Sequence, residues 1–134
     1  TYRRDFLKAS ALVVAFSLLG PAEEVTAADA PGLPAPRNTD KGAVDAWLAI
    51  GRDGRVTVYT GKVDLGTGSK TALAQMAADE LDVAFEQIDM VMGDTATTPD
   101  QWLTAASLTI SVGGMELRKA AATARQALLV RAGQ

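Results

Sequence analysis

Two stretches of this 134-residue chain carry the residue types that grip small anionic or planar ligands. The first, Asp64-Leu65-Gly66-Thr67-Gly68-Ser69-Lys70-Thr71, opens directly into a helix-patterned run from Ala72 to Leu81. Gly66 and Gly68 let the backbone turn sharply and approach a ligand. Ser69, Thr71 and the free N–H groups of a helix start can then donate to an anion. The pattern reads as a phosphate-facing loop, although turning and helix capping use the same residues. The second stretch, Thr104-Ala105-Ala106-Ser107, is again small and hydroxyl-bearing and precedes a second helix pattern. Both are expected to line one cleft, with Gly68 and Ala106 on its two sides.

Other chemistries are excluded by what is missing. The chain has no Cys and no His, which removes thiol and imidazole nucleophiles, disulfides and Cys/His metal sites. Ser69 and Ser107 therefore have no histidine base for a hydrolytic triad. A nucleotide P-loop needs glycines where Ser69 and Asp64 stand, and a dinucleotide fingerprint needs one at Thr71. The net charge is -3 with both signs interspersed. With no basic stripe and no aromatics interleaved with Lys or Arg, nucleic acid is not an expected partner.

The elements that must position the two stretches can be read from periodicity. Trp47-Leu48-Ala49-Ile50 and Arg55-Val56-Thr57-Val58-Tyr59-Thr60 flank Asp53-Gly54 and predict a β-hairpin. Leu73, Met76, Ala77 and Leu81 share a helical face, which leaves Asp79, Glu80 and Asp82 as a solvated one. Ile88 to Met92 alternates as a short strand ending at Gly93-Asp94, and a long connection runs from Thr95 to Ser111. Leu117, Ala121, Ala124 and Leu128 form an alanine-rich stripe on a helix of roughly four turns. The prediction is an α+β fold, a small sheet in the order β-β-α-β-α with both helices on one face.

The N-terminal third looks unlike core. Residues 1–28 read as a twin-arginine export signal, with Arg3-Arg4-Asp5-Phe6-Leu7-Lys8, an apolar run from Ala9 to Gly20 and a small-residue cleavage site at Val25-Thr26-Ala27. Residues 29–43 are a proline-rich linker, and residues 44–134 form the folded part. The expected location is periplasmic.

From Trp47 to about Ala132 the sequence resembles the molybdopterin-binding subunit of the xanthine dehydrogenase family, in its exported isoquinoline 1-oxidoreductase or nicotinate dehydrogenase branch. The match is carried by Trp47-Leu48-Ala49-Ile50, Gly61-Lys62-Val63-Asp64-Leu65-Gly66-Thr67-Gly68, Thr71-Ala72-Leu73-Ala74-Gln75 and Asp79-Glu80-Leu81-Asp82-Val83. Gly93-Asp94-Thr95, Thr98-Pro99-Asp100, Thr104-Ala105-Ala106-Ser107 and Val112-Gly113-Gly114 continue it in order. The resemblance implies a molybdenum enzyme that hydroxylates N-heterocycles or oxidises aldehydes with water-derived oxygen. It also implies a molybdopterin cofactor in the cytosine dinucleotide form, bound by Gly66, Thr67, Gly68, Ser69, Thr104, Ala105, Ala106 and Ser107.

Implied partners are the remainder of the molybdopterin-binding subunit, an iron–sulfur subunit and a cytochrome electron acceptor. Thr67 stands where the family has glutamine, and Trp102-Leu103 fills a place that is usually small and glycine-rich. The family's catalytic glutamate has no counterpart in this chain, so no catalytic residue is nominated and the chain is expected to be inactive alone, as the N-terminal segment of a longer subunit. Two alternatives remain open at this point. One is a non-catalytic exported interaction module that kept the fold but lost the cofactor site; the other is a stand-alone anion-binding protein.

Overall fold

The structure, a computed structural model, describes residues 39–133. The export-signal reading of residues 1–28 and most of the proline-rich segment lie outside the described residues. A short 3-10 turn, Val44–Ala46, leads into β1 (Leu48–Ile50). β2 (Val56–Thr60) follows and pairs antiparallel with β1, Leu48 opposite Val58 and Ile50 opposite Val56. The connection closes because Gly54 takes a φ of +82°, while the Gly51 N–H donates to the Arg55 carbonyl at 2.8 Å. That is the hairpin expected of Asp53-Gly54.

β3 (Ile88–Met92) pairs with the other edge of β2, and it runs parallel to it. The sheet order is β1-β2-β3. Parallel neighbours need a crossover, supplied by α1 (Ser69–Leu81). The helix begins three residues before the apolar pattern does. It ends at Asp82, whose φ of 58° lets the Val83 N–H reach back to the Ala78 carbonyl at 3.1 Å. α2 (Met115–Ala132) spans 18 residues, longer than its apolar stripe suggests. A π-helical turn, Thr109–Gly114, leads into it.

One apolar core joins these layers. Leu73, Ala77 and Leu81 from α1 meet Leu117, Ala120, Ala121 and Ala124 from α2 over Leu48, Val56 and Val58 of the sheet. Ala77, Ala121 and Ala124 are fully buried, so the helices meet across methyl groups rather than long side chains. Leu128 sits only half buried at the end of the stripe. β2 is buried along both faces, and burial pushes the Tyr59 phenol up to about 12, with Thr57 drawing it back slightly.

The acidic run on α1 is mostly solvated, as its pattern suggests, with Glu80 partly covered. Asp79 is exposed, but Glu80 accepts from Arg118 at 2.7 Å and Asp82 from Arg125 at 3.2 Å, tying the two helices together. Arg118 keeps 43% of its side chain exposed, so solvent screens this pair. Leu117→Ala should therefore lower the unfolding free energy by about 2–5 kcal/mol, and Arg118→Ala by at most about 1 kcal/mol. Denaturant unfolding followed by circular dichroism checks both; equal losses would mean that the ion pair, not the apolar seam, joins the helices.

Candidate functional site

Because β2 and β3 run parallel, the segments leaving their C-terminal ends emerge on the same edge of the sheet. Residues 61–68 rise from Thr60 to the start of α1, and residues 93–108 rise from Met92 towards α2. They meet around a cavity of about 400 Å³. Thr67, Gly68 and Ser69 line it from the first segment, and Thr104, Ala105, Ala106 and Ser107 from the second. Gly68 and Ala106 share one crevice, as their residue types suggested. Gly66 does not line it. Its φ of +87° makes it a turn residue, and its N–H is spent on Asp64 Oδ1 at 2.9 Å. Thr71 is exposed and also stands outside the lining.

Asp64 changes the reading of the loop. Its carboxylate accepts from the N–H groups of Gly66 and Thr67, both at 2.9 Å, and of Lys70 at 3.0 Å. One helix-start donor expected to face an external anion, the Lys70 N–H, therefore already holds an internal one together with two loop amides. Gly68 at the helix start offers no side-chain cap, and Asp64 takes over that role from four residues upstream. The Lys70 N–H above all, then those of Thr67, Gly66 and Gly68, hold its carboxyl below the usual carboxylate range. Ser69 belongs to the cavity wall. It is 6% exposed, and its Oγ finds no partner among the described residues.

The second segment is held in a costly conformation. Trp102, Ala106 and Ser107 adopt φ values of 60°, 54° and 58°, in the left-handed region that L-residues with a Cβ avoid. Val63 ties it to the first segment by donating its N–H to Thr104 Oγ1 at 3.0 Å. Val63, Leu65, Ala72, Thr109 and Ile110 complete the walls. Periodicity gave no sign of Val63 and Leu65, because lining a cavity from a loop leaves no repeat in the sequence. Among the described residues, no group of three Asp, Glu, His or Cys could hold a bare metal ion.

Comparison with known proteins identifies the architecture. Residues 21–134 match the family model described as a molybdopterin cofactor-binding domain. The chain belongs to this family. It is 50% identical over 86 residues to a nicotinate dehydrogenase subunit of Pseudomonas putida, covering 64% of this chain and 7% of that protein. It is 44% identical over 74 residues to the gamma subunit of the 6-hydroxypseudooxynicotine dehydrogenase complex of Paenarthrobacter nicotinovorans, covering 55% of this chain and 9% of that protein. Over 51 residues it is 45% identical to the aldehyde oxidoreductase molybdenum-binding subunit PaoC of Escherichia coli K12, covering 38% of this chain and 7% of that protein. The chain thus spans less than a tenth of the length of these curated relatives.

Two outcomes follow for this molybdopterin-binding domain segment. Asp64 contributes stability above the ordinary carboxylate range, and that contribution is lost as pH falls through its lowered value. Asp64→Asn should lower the thermal midpoint at pH 7 and flatten its dependence on pH below about 5; an unchanged slope would free the carboxylate from the loop. Ala106→Gly should raise the unfolding free energy by up to about 1 kcal/mol by relieving the left-handed backbone, and a loss measured by the same unfolding would contradict the strain.

Proposed function

We infer that this chain forms part of the molybdenum-cofactor cleft of an oxidoreductase acting on N-heterocycles or aldehydes, and that it is inactive without the rest of the subunit. The observation that carries this reading is the convergence of two small, hydroxyl-bearing segments on one cavity in a chain of this family. The names of the relatives, two dehydrogenase subunits and an aldehyde oxidoreductase subunit, support the reaction class.

The residues present fit a flat, phosphorylated pterin. A Cβ at Gly68 would meet no protein atom within 4 Å, so the glycine leaves open space where a side chain would stand. Ser69 Oγ is a buried hydroxyl without a protein partner among the described residues. The cavity volume is within the range of small-molecule sites. Ala105 and Ala106 would pack against the ring system, while Thr67, Ser69, Thr104 and Ser107 would donate to its polar edge and phosphates. When bound, the molybdenum–pterin supplies two-electron redox chemistry. This chain's part is to bind it, orient it and exclude water from one side, with the base supplied by polypeptide outside these residues.

The cytosine dinucleotide form of the cofactor belongs to this reading, as do an iron–sulfur subunit and a cytochrome acceptor. The remainder of the molybdopterin-binding subunit is the nearest partner. Trp102, Leu103, Leu108, Ile110, Val112 and Met115 are all exposed on the segment next to the cavity, Trp102 at 77%, an apolar surface that another layer of protein would cover. The twin-arginine pattern at Arg3-Arg4 supports periplasmic export. A reporter fused after residue 43 should reach the periplasm only in cells with a working twin-arginine translocase.

One observation favours a second reading, a non-catalytic interaction module: Asp64 fills the loop amides that an anion would use. Metal and pterin analysis of the assembled protein separates the two. The cofactor reading expects about one molybdenum per assembly and at least a tenfold loss in Ala106→Trp, which fills the cavity. Full loading of that variant would sink the assigned cleft, and a metal-free wild type would favour the module.

A further inference from the structure

Behind the Thr104–Ser107 wall lies a polar clamp, none of whose side chains lines the cavity. Lys62 is 5% exposed, and its Nζ donates to the main-chain carbonyls of Gln101 at 2.7 Å and Leu103 at 2.9 Å. These carbonyls flank Trp102, whose φ of 60° accompanies an exposed indole. Gln101, 7% exposed, accepts from Thr60 Oγ1 at 2.6 Å and from the Gly61 N–H at 3.0 Å, and donates through Nε2 to Glu116 Oε2 at 2.8 Å. A Cβ at Gly61 would collide with the Pro99 carbonyl. Residues 60–63, at and directly after the end of β2, thus hold residues 101–104 by five hydrogen bonds.

The energetics single out Lys62. A buried ammonium loses its hydration, and among the described residues no carboxylate forms an ion pair with it. An apolar side chain of similar length would avoid the desolvation penalty but leave the Gln101 and Leu103 carbonyls without this donor, so what the ammonium supplies here is directed contact with the loop. What the lysine does is draw the two loop carbonyls on either side of Trp102 to one point, fixing the backbone that continues into Thr104. We propose that Lys62 is a positioning residue that sets the Thr104–Ser107 wall against the glycine loop and so governs cofactor retention. The retention half rests on the reading above; the positioning half does not.

The test uses the assembled full-length protein with Lys62→Met, Lys62→Arg and Leu117→Ala. Amide hydrogen exchange at residues 103–107, measured on cofactor-free protein, should rise at least tenfold in Lys62→Met, with exchange in β2 and α1 unchanged. Lys62→Arg should restore protection. Pterin and molybdenum content should fall about tenfold in Lys62→Met and less than twofold in Lys62→Arg. Leu117→Ala should lower the thermal midpoint without loss of cofactor from the folded fraction. Unchanged exchange in Lys62→Met overturns the proposal. So does cofactor loss that merely follows the unfolded fraction, as the Leu117→Ala control would show. If Lys62→Met does not fold, Lys62→Gln, too short to reach both carbonyls, gives the same comparison. A wild type without pterin would remove the cofactor reading while the exchange result still decides the clamp.

Discussion

Parallel pairing of β2 with β3 is the constraint on which the arrangement depends. Val56 lies opposite Ile88 and Thr60 opposite Met92, and the Gly93 N–H extends the ladder to the Thr60 carbonyl at 2.8 Å. Two parallel strands cannot be joined by a tight turn, so α1 must cross over the sheet and the chain must leave both strands at one edge. Every residue that lines the cavity lies on a segment departing from that edge, on the first turn of α1 or, for Thr109 and Ile110, on the π-helical turn that leads into α2. Were the pair antiparallel, residues 61–68 and 93–108 would leave from opposite ends of the sheet.

The platform and the site are held by different forces. Below the edge, methyl groups of Ala77, Ala121 and Ala124 and the side chains of Leu73 and Leu117 exclude water between the helices and the sheet. Above it the loops bury little apolar surface and are held by directed bonds. Asp64 gathers three amides, Asp94 accepts from the Ala96 N–H and the Thr97 hydroxyl, both at 2.9 Å, and Thr60 and Lys62 are bonded to Gln101. Hydrogen bonds define position more narrowly than apolar contacts, so the loops around the cavity are set by direction as well as by distance. Left-handed backbone at Trp102 sits between the two carbonyls that Lys62 holds.

Much of the fold was legible in the chain. Alternation in Arg55–Thr60 and Ile88–Met92, the Asp53-Gly54 turn and the alanine stripe beginning at Leu117 each report a local preference repeated at the period of its element. The site was legible in part. Gly68, Ser69 and Thr104–Ser107 stood out because small and hydroxyl residues cluster there, whereas Gly66, in the same cluster, proved to be a turn. Lys62, Gln101 and Glu116 gave no signal: single polar residues in loops look alike until their partners, 15 to 41 positions away in sequence, are known. Asp64 was visible but unread, since a carboxylate before a glycine loop does not say whether it faces water or caps the helix behind it.

The amino-acid order by itself determined the kinds of element, their succession and the two stretches of small residues, because these depend on contacts within a few positions of the chain. Only the tertiary structure decided that β3 runs parallel to β2, that the two stretches share one crevice, and that a buried lysine bonds the carbonyls of Gln101 and Leu103. Those outcomes depend on pairings between distant segments, whose energies arise only when the core has brought the segments together.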